Sequence, residues 1–273
     1  MCGICGRTGR LVAGELARSI EARLAGGVEE PGHECVGRPL ARLCGDVRPG
    51  PLRGDAVILG SLDALDSDSF DVLVDFSTPA QAVACSDFAA EADKALVVAT
   101  TGLSDEQKSV VSRAAERVPV VLASNTSVGA NVLFALLERA GAALDESFDV
   151  EIVETHHRGK KDAPSGTALT AAAAIAGARG KDAGTVVRGG RTGPDVPRGH
   201  GEIAIHSVRG GAVAGRHVVQ FMSDLETLSV EHVALSRRAF AVGAVRAARF
   251  AAASEPGLYD MRDVLGLRKR GDL

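Results

Sequence analysis

The sequence predicts an α/β protein in two parts, a doubly wound parallel sheet followed by a smaller α+β domain with an open mixed or antiparallel sheet. In the first half, short apolar segments alternate with helical segments, and this order builds a parallel sheet with helices on its faces. After Asn131, strand-like segments follow one another across glycine turns, which is typical of antiparallel pairing. We place the two domains at residues 1–127 and 128–236.

Composition limits the class of function. The chain has 273 residues, of which 45% are hydrophobic, and this is enough for two cores. Its formal net charge is -4, and a weakly acidic chain without a polybasic run does not favour nucleic acid or an anionic membrane as a partner. Apolar stretches stay below the ~18 residues of a membrane span, and the first residues lack a secretory pattern. We expect a cytoplasmic protein that binds a small molecule.

The first element is a glycine-rich turn from Gly3 to Gly9. Such a turn before a helix can hold a dinucleotide pyrophosphate, because the backbone approaches closely and the helix start favours an anion. Alone, this spacing is also compatible with an ordinary turn. Glu29 and Glu30 follow about twenty positions later, where a dinucleotide site places an acid on the ribose. The helix after the turn has its periodic residues at Arg10, Leu11, Val12, Leu16 and Ile20.

The first two strands of this sheet are expected to be truncated. A strand of ~5–6 residues should precede the glycine turn, yet only Met1 and Cys2 stand before Gly3. In the segment 24–34, Val28 is the only apolar β-former after Gly26. We therefore expect an exposed sheet edge and a weakly supported glycine turn. Either the start lies upstream or cofactor affinity is weakened.

The rest of the first domain is regular. Polar residues follow the predicted strands at the edge where open α/β sheets bind ligands, although ordinary turn chemistry also explains them. These residues are Thr78, Thr100, Thr101, Gly102 and Asn125. The predicted strands are Ala56–Leu59, Val72–Phe76, Leu96–Ala99 and Val118–Leu122, with helices over Ala80–Ala92 and Asp105–Glu116.

The second domain begins with a helix over Val132–Leu144. The segment Arg188–Gly201 is rich in Gly, Pro and Arg, which indicates either a mobile loop over a site or a solvated loop without a function. A last helix begins at Arg237 and Arg238 and runs to Ala253. The predicted antiparallel strands are Val186–Val187, Glu202–Val208, His217–Ser223 and Thr227–Ala234, with turns such as Arg209–Gly211.

The segment Asp149–Thr170 contains the strongest indication of chemistry. Its alternating start predicts a strand that ends near Thr155, so that His156 and His157 stand at the strand end. Further on, Asp162 is expected to cap a helix with Pro164 in its first turn, and the amides at this helix start could bind a carboxylate or a phosphate. From the doublet alone, two adjacent histidines could equally be a hydrogen-bonded or a metal-binding pair.

The cysteines do not predict a metal site. Cys2 and Cys5 form a C-x-x-C pair, but a structural zinc site needs a second close pair, and the spacing from Cys35 to Cys44 is too long. Five cysteines, an odd number, argue against a disulfide framework.

Several motifs together resemble the dihydrodipicolinate reductase family. The segment ETHHRGKKDAPSGTA, from Glu154 to Ala168, is close to that family's signature. Other blocks follow in the family's order: DFSTP from Asp75, ATTGLS from Ala99, ASNTSVGANVL from Ala123 and GLYDMRDVLGL from Gly257. The resemblance implies a Rossmann-type first domain to which residues 237–273 return, and a second domain that forms a homotetramer.

The resemblance also implies a cofactor site for NADH or NADPH. Ala99 stands where the family usually has a glycine, a small change that could crowd the cofactor. The implied contacts are Gly3, Gly6, Arg7, Thr8, Gly9 and Glu30 around the pyrophosphate and ribose, and Ala99, Thr100, Thr101, Ala123, Ser124, Asn125 and Thr126 on the nicotinamide side.

The implied substrate is a cyclic imine dicarboxylate, 4-hydroxy-tetrahydrodipicolinate, which the family reduces to tetrahydrodipicolinate in the diaminopimelate route to lysine. Hydride addition leaves an anion that must be protonated. We assign His156 as general acid or base and Lys160 as proton donor, because both suit proton transfer. The carboxylate contacts are His157, Ser165, Gly166, Thr167 and Arg237. A catalytically impaired or regulatory relative, or an interaction protein, stays open as an alternative.

Overall fold

The protein forms two compact units in the computed structural model, which describes residues 1–44 and 56–268. The first unit comprises residues 1–128 and the carboxy-terminal segment from Arg237, and the second comprises Gly129–Ser236. Both the parallel α/β sheet and the second, mixed sheet that the sequence predicts are present. No helix in the described ranges is both long enough and apolar enough to cross a membrane.

The elements follow one another in an alternating order in the first unit and in an α+β order in the second. Up to the unit boundary they are α1 (Arg7–Arg18), β1 (Gly27–Val28), β2 (Ile58–Leu59), β3 (Val72–Asp75), α2 (Pro79–Ala92), β4 (Ala95–Val98), α3 (Asp105–Ala114) and β5 (Pro119–Leu122). Then come α4 (Val128–Ala143), β6 (Asp149–His156), α5 (Gly166–Ala178), α6 (Ala183–Val186), β7 (Val187–Gly189), β8 (Ile203–Arg209), β9 (Gly215–Met222), β10 (Thr227–Ala234), α7 (Arg238–Ala252), β11 (Gly257–Tyr259) and α8 (Met261–Val264).

The first sheet is parallel throughout and is continuous across a very short first strand. Cys2 forms bridges to both Val28 and Asp75, so that β2 and β1 lie on one side of it and β3, β4, β5 and β11 on the other. Its amide donates to the carbonyl of Val74 at 2.9 Å, and the amide of Val28 donates to the carbonyl of Met1 at 2.8 Å.

One expectation about this region is confirmed and one is corrected. The second strand is truncated as expected, since it has only two residues, and Gly27 in it leaves room for the side chain of Ile4, which would lie 2.5 Å from a Cβ at that position. The expected exposed inner edge is wrong, because Cys2 pairs on both sides. The first strand is short all the same, and a groove of about 870 Å³ extends from Met1 between Leu24–Gly26 and Val72–Val74.

Two apolar layers cover the two faces of this sheet. On β4, Ala95 and Val97 contribute to one layer, while Leu96 and Val98 contribute to the other, as the period of two in a strand requires. Helices α1 and α7 belong to the first layer and helices α2 and α3 to the second. This is the doubly wound arrangement that the alternation of segments predicts. Ile20, which was assigned to the first helical pattern, lies beyond α1 and is fully exposed.

The second sheet has the strand order β10-β9-β6-β8-β7, with residues of α4 and α5 packed on one face. The prediction of antiparallel pairing is wrong for half of it, because β6, β8 and β7 are parallel to one another. The Arg209–Gly211 turn does not form a hairpin, since β8 and β9 lie on opposite sides of β6. Arg191 and Arg198 bind the carboxylate of Glu151 on β6, so part of the Arg188–Gly201 segment is anchored rather than solvated.

A glycine in α7 permits this helix to pack directly on the loop after β5. A Cβ at Gly243 would lie 1.7 Å from the carbonyl oxygen of Thr126, and the hydroxyl of Thr126 donates to the carbonyl of Phe240 at 2.7 Å. We expect Gly243→Ala to lower the free energy of unfolding by about 1–3 kcal/mol, because the helix must move away from the loop. Thermal and urea denaturation measure this loss.

Gly177 supplies the matched control, because it is an exposed helical glycine in α5 with open space around its Cβ position. There the same substitution should raise stability by up to about 1 kcal/mol, since alanine is the better helix former. A Gly243→Ala protein as stable as the wild type would contradict the close packing of α7 on Thr126.

Candidate active site

The register of the second sheet brings four polar side chains into one row. On β6, the alternate residues Glu154 and His156 are buried, as are Val150 and Ile152 before them. Glu154 is the register partner of Ser207 on β8 and of His217 on β9. His217 in turn is the partner of His232 on β10. Because register partners share a face, the serine, the carboxylate and the two histidines follow one another across four strands.

Glu154 is the centre of this row. Its side chain is fully buried, and its oxygens accept hydrogen bonds from Arg209 at 2.7 and 2.9 Å. It also accepts the amide of Ser165 at 3.2 Å and contacts Nδ1 of His156 at 2.5 Å. Burial would raise the pKa of this carboxyl, but the hydrogen bonds from Arg209, Ser207 and His156 outweigh it and lower the pKa to about 2. Glu154 is therefore an anion at neutral pH.

An ionised Glu154 determines the tautomer of His156. A carboxylate only accepts hydrogen bonds, so Nδ1 of His156 must carry the proton that it donates. Burial lowers the pKa of His156 below its ordinary value, although Glu154 acts in the opposite direction. The ring is consequently neutral at pH 7, and its Nε2 holds a lone pair. Gly215 keeps the space beside this atom open, since a Cβ there would lie 3.1 Å from Nε2.

His217 extends the cluster. Its Nε2 lies 3.1 Å from the hydroxyl of Ser165, and its ring packs edge-on against His156 with centroids 5.2 Å apart. Burial and the neighbouring His156 lower the pKa of His217 to about 4. Its Nδ1 is buried and has no hydrogen-bond partner among residues 1–44 and 56–268.

The helix start differs from the prediction in its cap. Ser165, not Asp162, is the N-cap of α5, with its hydroxyl accepting the amide of Ala168 at 3.2 Å, and Pro164 precedes the helix. Asp162 instead accepts two hydrogen bonds from Nζ of Lys160, both at 2.8 Å. This ion pair engages the Asp162 carboxylate, so Asp162 does not cap the helix. Besides burial, which is the larger cause, the positive charge of Lys160 lowers the pKa of His156 and of His217.

The other predicted substrate residues fall into two groups. Gly166 and Thr167 form the first turn of α5, and a Cβ at Gly166 would meet open space. His157 follows β6 directly, and its amide donates to the carbonyl of Val213 at 2.7 Å. Arg237 belongs to the first unit, where it is the N-cap residue of α7. In the second unit, the structure therefore brings together His156, His157, Lys160 and the Ser165–Thr167 segment.

The glycine turn has the close backbone contacts that a phosphate-binding loop requires. Gly3 has φ +67°, and a Cβ at Gly9 would lie 2.1 Å from the carbonyl oxygen of Gly3. Gly6 is the N-cap residue of α1, so Arg7, Thr8 and Gly9 form its first turn. The amide of Cys5 donates to Oε2 of Glu29, which is half-buried, at 2.8 Å, whereas Glu30 is exposed and its amide donates to the same carboxylate. Glu29, rather than Glu30, is therefore the acid on the loop.

The predicted nicotinamide-side residues lie after β4 and β5. The hydroxyl of Thr100 donates a hydrogen bond to the Asp75 carboxylate at 2.6 Å, and the hydroxyl of Thr126 donates to the carbonyl of Phe240. Asp75 is fully buried, and burial raises its pKa against the hydrogen bonds from Ser77 and Thr100. Two predicted contacts thus already hold the loops in place. The remaining predicted contacts follow the same two strands: Ala99 and Thr101 after β4, and Ala123, Ser124 and Asn125 after β5.

Four residues of the histidine cluster are not predicted from the sequence. Glu154 and His217 stand at inward positions of alternating strands, where a charged or polar side chain is rare unless it has a partner. That pattern is readable in the sequence, but their partners come from other strands. The missed residues are Glu154, Arg209, His217 and His232.

The buried ion pair gives a stability prediction. We expect Glu154→Gln to lower the free energy of unfolding at pH 7 by about 3–5 kcal/mol, because Arg209 loses its partner inside the protein. Ionised Glu154 stabilises the fold above its unfolded-state pKa, near 4.5, and this stabilisation is lost as the pH falls toward the folded-state value of about 2. The difference between the two proteins should therefore narrow over that pH window in urea denaturation.

Glu231→Gln is the control, since it removes one carboxylate from the exposed Arg216–Glu231 pair, whose side chains are 49% and 43% exposed. This change should cost at most about 1 kcal/mol. Equal losses in the two variants would contradict the central role of Glu154.

Comparison with known proteins assigns both units. The family described as dihydrodipicolinate reductase, N-terminus, matches residues 1–126, and dihydrodipicolinate reductase, C-terminus, matches residues 129–265. The chain is 48% identical to the 4-hydroxy-tetrahydrodipicolinate reductase of Rubrobacter xylanophilus, over 97% of this chain and 96% of that protein. It is 44% identical to the enzyme of the same name from Chromohalobacter salexigens, over 97% of each chain.

A solved structure supports the fold. Dipicolinate-bound dihydrodipicolinate reductase from Paenisporosarcina sp. TG-14 superimposes with a TM-score of 0.73 over 95% of each chain, at 24% identity. Together with the two family matches, which cover nearly the whole chain, these similarities establish that the protein belongs to the dihydrodipicolinate reductase family.

Proposed function

We propose that the protein reduces 4-hydroxy-tetrahydrodipicolinate to tetrahydrodipicolinate with NADH or NADPH, a step of the diaminopimelate route to lysine. The observation that carries this proposal is the buried Glu154–His156 pair beside the Ser165 helix start. The curated relatives with the name of this activity are up to 48% identical over nearly the full chain. An oxidoreductase is thus favoured over an interaction protein.

The first unit is proposed to bind the cofactor. The Gly3–Gly9 turn and the start of α1 provide amides for the pyrophosphate. Glu29 is proposed as the acid for the adenosine ribose, since it directly follows β1 and already contacts the loop. The residues after β4 and β5, Ala99–Thr101 and Ala123–Thr126, remain our proposed contacts for the nicotinamide side.

The second unit is proposed to bind the substrate dicarboxylate. The amides of Gly166 and Thr167 begin α5, where an anion is favoured. The open space at Gly166 lets a carboxylate approach the backbone. His157 and Ser165 are proposed to contact the same group, and Arg237 the second carboxylate.

The chemistry that these residues would supply is proton transfer. Conversion of the 4-hydroxy substrate to tetrahydrodipicolinate also releases water: loss of the 4-hydroxyl with a proton of the neighbouring ring carbon would give a conjugated imine. Hydride supplied by the nicotinamide would then add at the carbon that carried the hydroxyl, and the electron pair would move through the conjugated system toward nitrogen. A proton is required at the neighbouring carbon to restore the C=N bond of the product. We propose Lys160 as the donor of this proton, since its positive charge acts on both His156 and His217. His156 is neutral before substrate binds, and the charge of a bound dicarboxylate raises its pKa, so that it can then accept and deliver a proton at Nε2.

Assembly and location are further parts of the proposal. We propose a cytoplasmic homotetramer that associates through the second unit. Val208 on β8 and Val233 on β10 are 46% and 44% exposed. Each lies on the face opposite to its neighbour in the polar row, Ser207 on β8 and His232 on β10. Apolar side chains on an uncovered sheet face favour association. Light scattering should give a mass near four chains of 28.1 kDa, and the mass of a single chain would contradict the tetramer.

The decisive measurement is a steady-state assay with substrate generated in situ by an aldolase-type enzyme, run with NADH and with NADPH. We expect His156→Ala to lower kcat at least about tenfold with little change in cofactor affinity, because general acid or base catalysis contributes factors of that size or more. Circular dichroism verifies that the variant is folded.

His200→Ala is the matched control, because its side chain is 81% exposed and pairs with Glu146 away from the cluster. Its kcat should match that of the wild type. Near wild-type turnover in His156→Ala would remove the role proposed for His156. Failure of both cofactors to bind would instead favour an impaired or regulatory relative.

A further inference from the structure

The cysteines of the first unit pair differently from their order in the sequence. The thiol of Cys5 interacts with Cys35, and the thiol of Cys2 interacts with Cys85. The C-x-x-C spacing of Cys2 and Cys5 is therefore not the structural unit. His33 joins the first pair, and the potential ligand atoms of Cys5, His33 and Cys35 all lie within 4.8 Å of one another.

We propose that Cys5, His33 and Cys35 form a binding site for a thiophilic cation such as Zn²⁺. Two sulfurs and an imidazole nitrogen are the donor set that zinc prefers. Zinc–sulfur bonds of about 2.3 Å at tetrahedral angles separate two sulfurs by about 3.8 Å. The donors are already close to this spacing, so a small contraction forms the site.

The backbone around the three residues is well ordered by its hydrogen bonds. The amide of His33 donates to Glu30 at 3.0 Å, and the amide of Val36 donates to His33 at 2.9 Å. The backbone at Cys5 is held by the hydrogen bond that its amide donates to the carboxylate of Glu29. Two segments distant in the sequence thus present their donors from fixed positions, which lowers the entropy that a ligand must overcome.

The two sulfur donors are buried, which shields a bound cation from solvent. Cys5 and Cys35 are 8% and 5% exposed, while His33 is half-buried and connects the site to solvent. Binding forms two metal–sulfur bonds and one metal–nitrogen bond and releases both thiol protons. A water molecule can complete the tetrahedron.

One existing contact must be released. The amide of Cys35 donates to Nδ1 of His33 at 3.1 Å. If Nδ1 binds the cation, its lone pair is no longer available to this amide, and if Nε2 binds, Nδ1 carries the proton. In either case the bond is exchanged for a metal bond. The cation then connects the glycine turn to the segment after β1, which stabilises the first unit.

The test uses the full chain, reduced and freed of metal with a chelator, and titrated with Co²⁺ alone. We expect one Co²⁺ per chain, with the thiolate-to-cobalt charge-transfer band and the intense visible bands of tetrahedral cobalt, and displacement by Zn²⁺. Zn²⁺ should also raise the Tm. Cys35→Ala should abolish the charge-transfer band or weaken it together with at least a tenfold loss of affinity. His33→Gln should weaken binding about tenfold while leaving part of the band.

Cys85→Ala is the control, since it removes a buried thiol of the other pair and should leave cobalt binding unchanged. His33→Gln keeps the test valid if Cys35→Ala fails to fold, because His33 is only half-buried. Absence of saturable cobalt binding, or equal binding by the wild type and both cluster variants, would overturn the site. If the protein before reduction contains a Cys5–Cys35 disulfide and the reduced protein shows no cobalt band, the metal site is overturned and the pair is assigned to redox chemistry instead.

Discussion

The second unit depends on one requirement, that the carboxylate of Glu154 be neutralised inside the protein. A buried charge is tolerated only when it is paired and hydrogen-bonded. Arg209 on β8, His156 on β6 and the amide of Ser165 meet that requirement from three elements. The same contacts determine the tautomer of the histidine and the position of the helix start. Stability and the proposed chemistry therefore rest on a single group.

The first unit has a comparable constraint in the contact between α7 and the loop after β5. A helix can approach a carbonyl this closely only where a side chain is missing, and Gly243 supplies that position. The alanines of α7 bring the rest of the helix close to α1 and the sheet. Thr126 is thus positioned by a helix more than a hundred residues later in the chain. Small residues here define where the loops after the strands can lie.

Much of the fold could be predicted because the period of apolar residues is local. The third strand was predicted at Val72–Phe76 and is observed at Val72–Asp75. The direction of β8 could not be predicted, since the turn at Gly210 does not reveal that the chain crosses β6. His156 could be predicted because its motif lies in one segment, whereas His217 could not. Its place beside His156 depends on the strand register, which a single segment does not contain.

The bridge at Cys2 has a consequence for the cooperativity of folding. One residue joins the β1–β2 part of the sheet to the β3–β11 part, so few backbone hydrogen bonds hold the two parts together across it. Local openings follow the places where such bonds are few. The segment of the glycine turn, β1 and β2 can therefore open at a smaller free energy than global unfolding requires, whereas α1 stays packed against α7 in their common apolar layer. The glycine turn belongs to that segment, which makes a bound ligand at the turn a stabiliser of the weakest part of the unit.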